Sequence, residues 1–164
     1  MSRFASQGLT LLELMIAIAL LAVLGTLAVP TLSARLDQQR LYGAAEALMA
    51  DVNEARFEAA RQGRAMHVLM QPGSAWCWAV ASDASCPCGQ AQACELRRAL
   101  PPDHAGVLLL QAQSMRLSAT GLAEGAGNAT LESRRGARLR VEVQALGRAR
   151  ICTLIGPTAR YPAC

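Results

Sequence analysis

The chain begins with a long apolar stretch and continues with an amphipathic one. No charged residue occurs in Leu14–Ala34, a run of 21 residues. As an α-helix this run is long enough to cross the ~30 Å hydrocarbon core of a bilayer. Beyond Pro30, apolar residues recur at spacings of three and four among charged ones, which favours helix up to a stop at Gly63. The pattern predicts one helix over about Leu9–Gln62, kinked at Pro30 because proline removes an intrahelical hydrogen bond.

After Gly63 the pattern changes to short strands separated by turns. The predicted strands are Arg64–Met70, Ala75–Ala81, Val107–Ala112, Ser114–Ala119, Ala129–Ser133, Arg138–Gln144 and Gly147–Leu154. The segment Thr120–Asn128 is rich in Gly and Ala and is predicted to be a loop. The expected fold class is therefore α+β, with a long N-terminal helix packed on an antiparallel β-sandwich.

The charges are distributed unevenly. All 16 basic residues are arginines and the net charge is +4. The segment 134–164 carries seven arginines and one acid, Glu142, which gives +6, whereas residues 9–133 carry eight arginines and eleven acids, which gives −3. Such asymmetry indicates an anionic partner: a nucleic acid, a lipid headgroup or an acidic protein surface.

The boundary between the polar N-terminus and the apolar run has two unusual residues. Gly8 lies just before the run, and Glu13 is a carboxylate just inside it. An ionisable group in an apolar segment is costly and usually has a partner. An ordinary secretory signal is an alternative interpretation, because Val29–Ala34 offers small residues for a cut after the apolar run.

The run Gly8–Met15 (GLTLLELM) resembles the prepilin motif of type IV pilins and type II secretion pseudopilins. The resemblance implies that a prepilin peptidase cuts between Gly8 and Leu9 and that the new N-terminus is methylated. Residues 1–8 are then the leader, 9–34 the inner-membrane and filament-core helix, and 35–164 a periplasmic domain made of a helix over 35–62 and a β-sandwich over 64–164. It further implies that Glu13 neutralises the terminal amine of a neighbouring pilin, since two buried charges are tolerable only as a pair.

The C-terminal half resembles the GspH/FimT family of minor pilins and pseudopilins. The resemblance is carried by Met115–Gly121 (MRLSATG), by the basic strand Arg138–Gln144 and by Gly147–Cys152 (GRARIC), which fits a GRxR pattern. In some FimT-like pilins this basic region binds DNA during natural transformation. Carried over to this chain, the resemblance nominates Arg148 and Arg150.

Five further arginines are candidates for the same basic patch. Alternation puts Arg148 and Arg150 on one face of a strand, and pairing with the preceding strand would add Arg138 and Arg140. Arg134, Arg135 and Arg160 would extend the patch. A row of guanidinium groups matches the phosphates of a nucleic-acid backbone and would bind them without sequence preference.

A structural role remains open for the same residues. GRxR also occurs in secretion pseudopilins, so the motif fits a GspH-like subunit of a type II secretion system with protein partners only. The arginines would then form a solvated strand face or contact an acidic neighbour. Like charges on one face cost stability without an anion, which favours a partner of some kind.

Six cysteines are expected to form disulfides, because a domain behind a pilin anchor lies outside the cytoplasm. Six cysteines allow fifteen pairings. We expect Cys152 and Cys164 to close the C-terminal tail, and two further pairs to pin the loop between Cys77 and Cys94. The remaining members of that loop are Cys86 and Cys88. A zinc site in this loop is a weaker alternative, since the spacing lacks C-x2-C pairs and a nearby histidine.

The sequence contains no recognisable catalytic constellation. His67 and His104 stand alone, without a nucleophile or carboxylate at a familiar spacing. We therefore expect no enzyme activity, no cofactor and no metal. Trp76 and Trp78 lie on one face of a predicted strand, where core packing is the default role.

Overall fold

The structure is a computed structural model that describes residues 10–89, 93–157 and 160–164, without the side chains of residues 27, 28 and 30. The predicted leader and the expected processing site, Gly8 and Leu9, lie outside the described residues. The chain divides into two compact units, one ending at Leu36 and the other Asp37–Cys164.

The predicted long helix is present. Helix α1 runs from Leu11 to Gln62, with Glu13 in its first turn and Arg61 in its last. Gly63 follows with a φ of 62°, the left-handed conformation that glycine adopts after a helix end. The helix is continuous through residue 30, and the kink expected there stays a prediction.

In the first unit, the apolar residues of α1 are exposed. Leu12, Met15 and Leu21 are all more than 60% exposed, and none of the described side chains in the most apolar stretch is buried. The helix is long and apolar enough to cross a membrane. An exposed surface of this kind needs a lipid or protein environment to cover it.

In the described part of the second unit, nine strands follow α1. They are β1 (Met66–Gln71), β2 (Cys77–Ala81), β3 (Glu95–Ala99), β4 (Val107–Gln113), β5 (Met115–Leu117), β6 (Ala123–Glu124), β7 (Gly127–Ser133), β8 (Arg138–Val143) and β9 (Ala149–Ile155). One sheet has the order β3-β2-β1-β5-β6 and the other the order β4-β7-β8-β9. All strand pairs are antiparallel, so the α+β class is confirmed.

The strand predictions failed mainly between β2 and β4 and in the glycine-rich segment. Strand β3 was not predicted, because Glu95–Ala99 (ELRRA) has neither alternation nor β-branched residues; it forms by pairing with β2. The loop predicted over Thr120–Asn128 contains the short strand β6 and the start of β7. Gly127 lies within β7 at a position with little room for a side chain, since an added Cβ would lie 2.2 Å from the Met115 side chain.

The second half of α1 supplies one wall of the core. Its small and branched side chains Leu41, Ala45, Leu48 and Val52 are fully buried. They pack with apolar residues of both sheets in a single cluster that includes Val68, Leu109, Leu117, Leu131, Leu139 and Val141. Spacings of three and four along α1 thus produce one buried stripe, as the amphipathic pattern predicted.

Disulfides join all six cysteines. Cys152 is bonded to Cys164, the pairing expected for the C-terminal tail. In the β2–β3 region the bonds are Cys77–Cys88 and Cys86–Cys94. A zinc site would need thiolates, and none of the six cysteines is free.

The two tryptophans are core residues. Trp76 and Trp78 are buried and stack with their ring centroids 5.0 Å apart. His104 stacks on Trp78 at 5.2 Å, and the Trp78 indole N–H donates to Asp51 at 2.7 Å. Burial raises the pKa of Asp51 and lowers the pKa of His104. These contacts give His104 a structural role.

Candidate functional site: the basic face of the second sheet

Alternation along β8 separates a core face from an outer face. Leu139, Val141 and Val143 are buried, while Arg138 and Arg140 are half-buried on the opposite side. On β9, Arg150 lies opposite Glu142 of β8, and Cys152 lies opposite Arg140. Directly opposed residues of an antiparallel pair share a face. The structure therefore brings Arg138, Arg140 and Arg150 to one surface, which we call the basic face.

Two of these arginines are paired across the sheet with glutamates. Arg138 lies opposite Glu132 of β7 and forms a salt bridge with it. Arg150 lies opposite Glu142 and binds its carboxylate through Nε at 3.0 Å and Nη2 at 2.7 Å. The side chain of Arg150 is 60% exposed, so this pair is screened by solvent and contributes little to stability. These pairs lower the net positive charge of the basic face.

Arg140 differs from its two neighbours on this face. Its cross-strand partners are Thr130 on β7 and Cys152 on β9, neither of which is acidic. Its one ion pair within the described chain is with a residue of its own strand, from Nη1 to Glu142 at 3.9 Å, and its Nε has no hydrogen-bond partner among the described residues. The buried hydroxyl of Thr130 likewise lacks a partner among the described residues. Thr130 and Arg140, which lie opposite each other, thus each have one buried polar atom without a hydrogen-bond partner among the described residues.

Arg148 lies in the turn that joins β8 to β9. Its carbonyl accepts from the Gln144 N–H at 2.9 Å, and the Gly147 N–H donates to the Gln144 carbonyl at 2.8 Å. Gly147 has a φ of 73°, which its lack of a Cβ permits. The Arg148 side chain is exposed and forms no salt bridge with any described residue. It is the most available cation of the GRxR segment.

The glycine of the GRxR segment is needed for a close backbone approach. A Cβ added at Gly147 would lie 2.1 Å from the carbonyl oxygen of Gly121. Two residues away, the Ala123 N–H donates to the Ala145 carbonyl at 3.0 Å. The β8–β9 turn is therefore docked on the segment that follows β5. The two C-terminal motifs, Met115–Gly121 and Gly147–Cys152, meet at this contact.

Arg160 is directed at α1. Its guanidinium binds Glu46 at 2.6 Å and lies 5.3 Å from the ring centroid of Tyr42. Tyr161 beside it donates its hydroxyl to Glu46. These contacts fasten the C-terminal segment to the helix, so Arg160 contributes less free charge than the sequence suggested.

The Cys152–Cys164 disulfide lies next to the basic face. Its sulfurs and the Glu142 carboxylate lie within 4.8 Å of one another. The tail also pairs with β9: the Thr153 N–H donates to the Pro162 carbonyl at 2.7 Å and the Cys164 N–H to the Thr153 carbonyl at 3.1 Å. Because both sulfurs are oxidised, this cluster lacks the thiolates that a metal would use.

Sequence reasoning nominated the arginines but missed Thr130 and the acids that oppose them. Thr130 lies on the same face as Arg140 because of the β7–β8 register. Alternation within one strand cannot reveal that register. The one available signal was that Glu142 shares its face with Arg138 and Arg140.

Two family patterns match the chain. The sequence model described as type II transport protein GspH matches residues 44–147, more than half of the chain. The chain belongs to the GspH family. A second pattern, the prokaryotic N-terminal methylation motif, matches residues 3–29. Together they make the chain a pilin-like protein of the FimT/GspH type.

Solved structures agree with this assignment at the level of the fold. The GspH-family chain is similar to the type IV minor pilin FimU of Pseudomonas aeruginosa in two crystal forms, each with a TM-score of 0.54 and 20% identity. The alignments cover 76% and 74% of this chain and 94% and 97% of FimU. No curated protein sequence matches significantly. The GspH match ends at Gly147, so Arg148 and Arg150 lie beyond it.

Proposed function

We propose that this GspH-family chain is a minor pilin whose basic face binds DNA without sequence preference, as in DNA uptake during natural transformation. The observation that carries the proposal is the exposed side chain of Arg148, which forms no salt bridge with any described residue and directly precedes β9, the strand that brings Arg150 to the basic face. Guanidinium groups at strand spacing match phosphates along a duplex, and their affinity comes from released counterions. Arg138, Arg150 and Arg160 play a smaller part than Arg148, because each is already bound to a glutamate.

The anchoring part of the proposal concerns the N-terminus. A prepilin peptidase removes residues 1–8, and the apolar first half of α1 holds the protein in the inner membrane, with the domain in the periplasm, until it joins a filament of other pilins. The methylation-motif match and the exposed apolar half of α1 support this. Glu13, in the first turn of α1, would neutralise the terminal amine of a neighbouring subunit.

Mass spectrometry of the protein purified from its host tests the processing step. We expect a mature chain that begins at Leu9 and carries one methyl group. The Glu13→Val variant should be processed but should not join the filament. A chain that still begins at Met1, or normal assembly of Glu13→Val, would contradict this part of the proposal.

DNA binding is tested by fluorescence anisotropy with a labelled duplex and the full chain in nonionic detergent. We expect tight binding at low salt. Arg148→Ala should weaken it for all sequences and reduce the slope of log affinity against log salt by about 1, as for loss of one phosphate contact. Arg64→Ala removes an exposed arginine outside the basic region and serves as the control. No binding at low salt, or equal effects of the two variants, would contradict the proposal.

A second candidate is a pseudopilin of a type II secretion system with protein partners only. The cross-strand pairs Arg138–Glu132 and Arg150–Glu142 favour it, since they leave less charge for phosphates. The description of the family as a type II transport protein agrees with it. This candidate predicts that the full chain fails to bind the duplex at low salt.

A further inference from the structure

A groove of about 510 Å³ crosses the basic face. It is lined by Leu110, Gln111, Thr130, Arg138, Arg140, Leu154 and Ile155. Leu154 and Ile155 are 37% and 51% exposed, so the lining combines exposed apolar side chains with guanidinium groups. A phosphodiester backbone would leave these apolar side chains uncovered, whereas a protein segment with apolar residues would cover them.

The lining of the groove contains two polar atoms that the described chain leaves without a partner, Thr130 Oγ1 and Arg140 Nε. Thr130 is only 4% exposed, and it lies directly opposite Arg140 on the neighbouring strand. Buried polar groups are nearly always hydrogen-bonded, so an unsatisfied pair at one spot calls for a specific explanation.

The chemistry of these two groups specifies the missing ligand. The Nε edge of a guanidinium carries two parallel N–H donors that fit a carboxylate bidentately. Glu142 approaches Arg140 from the Nη1 side at 3.9 Å, which leaves the Nε edge uncommitted. The Thr130 hydroxyl is a third donor. Across the strands, Arg138 lies opposite Glu132 and Arg150 lies opposite Glu142. Arg140, between them, has no acid opposite it.

We propose that this groove is a docking site for an acidic side chain of a partner protein, an aspartate or glutamate flanked by apolar residues. The carboxylate takes the Nε edge of Arg140 and the hydroxyl of Thr130, and the flanking residues cover Leu110, Leu154 and Ile155. Arg140 is one-third exposed, so its guanidinium can turn to present that edge. The site shares Arg140 with the surface proposed to bind DNA, so the two ligands would compete for this guanidinium, but binding of the acidic segment does not depend on binding of DNA.

The binding test uses the full chain in nonionic detergent and a short synthetic peptide with a central glutamate flanked by leucines. Titration followed by NMR should perturb the Thr130 methyl signal. The matching peptide with glutamine at its centre should bind about tenfold more weakly, because the charge-assisted contacts are lost. Arg140→Lys keeps the charge but loses the forked donors and should also cost about tenfold. Arg116→Lys, in a cross-strand pair of the other sheet, should have no effect.

A pair of threonine variants separates a ligand role from a structural one. Thr153 is as buried as Thr130, but its hydroxyl donates to the Tyr161 carbonyl at 3.2 Å. Thr130→Val should weaken peptide binding and leave the melting temperature unchanged or raised, since an unsatisfied hydroxyl is removed. Thr153→Val should lower the melting temperature.

Three results would overturn the inference. Equal binding of the glutamate and glutamine peptides would show that the site does not recognise a carboxylate. A fall in the melting temperature of Thr130→Val as large as that of Thr153→Val would show that the Thr130 hydroxyl has a structural role. Displacement of the peptide by duplex DNA, with DNA affinity reduced by Thr130→Val, would assign the groove to phosphate instead. If the protein does not bind DNA but binds the glutamate peptide, the proposed DNA-binding function is wrong and the groove proposal stands.

Discussion

Gly147 offers a sharp test of how the basic region is built, because the same turn occurs twice in the second sheet. In the β8–β9 turn the Gln144 N–H donates to the Arg148 carbonyl, the Gly147 N–H donates to the Gln144 carbonyl, and Gly147 has a positive φ. The β7–β8 turn has the same pattern: the Ser133 N–H donates to the Ala137 carbonyl at 2.9 Å, and Gly136 has a φ of 80°. The difference is in the surroundings. A Cβ at Gly136 would have open space, and one at Gly147 would lie 2.1 Å from a carbonyl oxygen.

The two alanine variants therefore share one cost and differ by another. An L-residue in the left-handed conformation costs about 1–2 kcal/mol, and this applies to both Gly136→Ala and Gly147→Ala. At Gly147 the backbone must also separate from Gly121, and such overpacking typically costs about 1–3 kcal/mol more. For a domain of this size, 1 kcal/mol corresponds to roughly 3–5 °C in the melting temperature. We expect Gly147→Ala to melt well below Gly136→Ala.

Thermal unfolding followed by tryptophan fluorescence measures this directly, since Trp76 and Trp78 both lie in the core of the domain. If the two variants lose the same free energy of unfolding, the close approach of the β8–β9 turn to Gly121 does not constrain residue 147. The glycine at the start of the GRxR segment would then not be required by this close approach.

Two further predictions concern stability. Replacing Cys152 and Cys164 with alanine should lower the free energy of unfolding by about 3 kcal/mol, the entropy of a loop of 12 residues, measured by urea unfolding; an unchanged midpoint would contradict it. The pKa of His104 is lowered by burial, so its contribution to stability is present above its ordinary pKa of about 6.5 and is lost as pH falls below it. The urea midpoint of unfolding should therefore decrease as the pH is lowered from about 7.5 to about 5.5, and it should decrease less in His104→Phe. An equal dependence of the midpoint on pH in the two proteins would show that His104 does not contribute to it.

Elements with strong hydrophobic periodicity were predicted correctly from the sequence. Elements that form only because a neighbouring strand pairs with them were not. Helix α1 was predicted to within two residues of its start because its apolar and amphipathic patterns are long. Strand β8 was predicted from clean alternation. Strand β3 has no pattern of its own and exists because β2 offers it a neighbour.

The candidate site was only half predictable for the same reason. Composition and motif found Arg148 and Arg150, but the partners of an arginine depend on register between strands. The salt bridges of Arg138 and Arg150 and the unsatisfied Thr130–Arg140 pair follow from which residue lies opposite which. Arg160 was assigned to the basic patch by proximity in sequence, and its contacts with Glu46 and Tyr42 depend on where the C-terminal segment meets α1.

The most direct test of the proposed DNA contact is the effect of Glu142 on duplex affinity. Glu142 binds Arg150 at 2.7 Å and lies 3.9 Å from Arg140, so it shields two of the proposed phosphate contacts. Glu142→Gln should tighten DNA binding at low salt and steepen its salt dependence, opposite in sign to Arg148→Ala. If Glu142→Gln leaves the affinity and the salt slope unchanged, these arginines do not meet DNA phosphates.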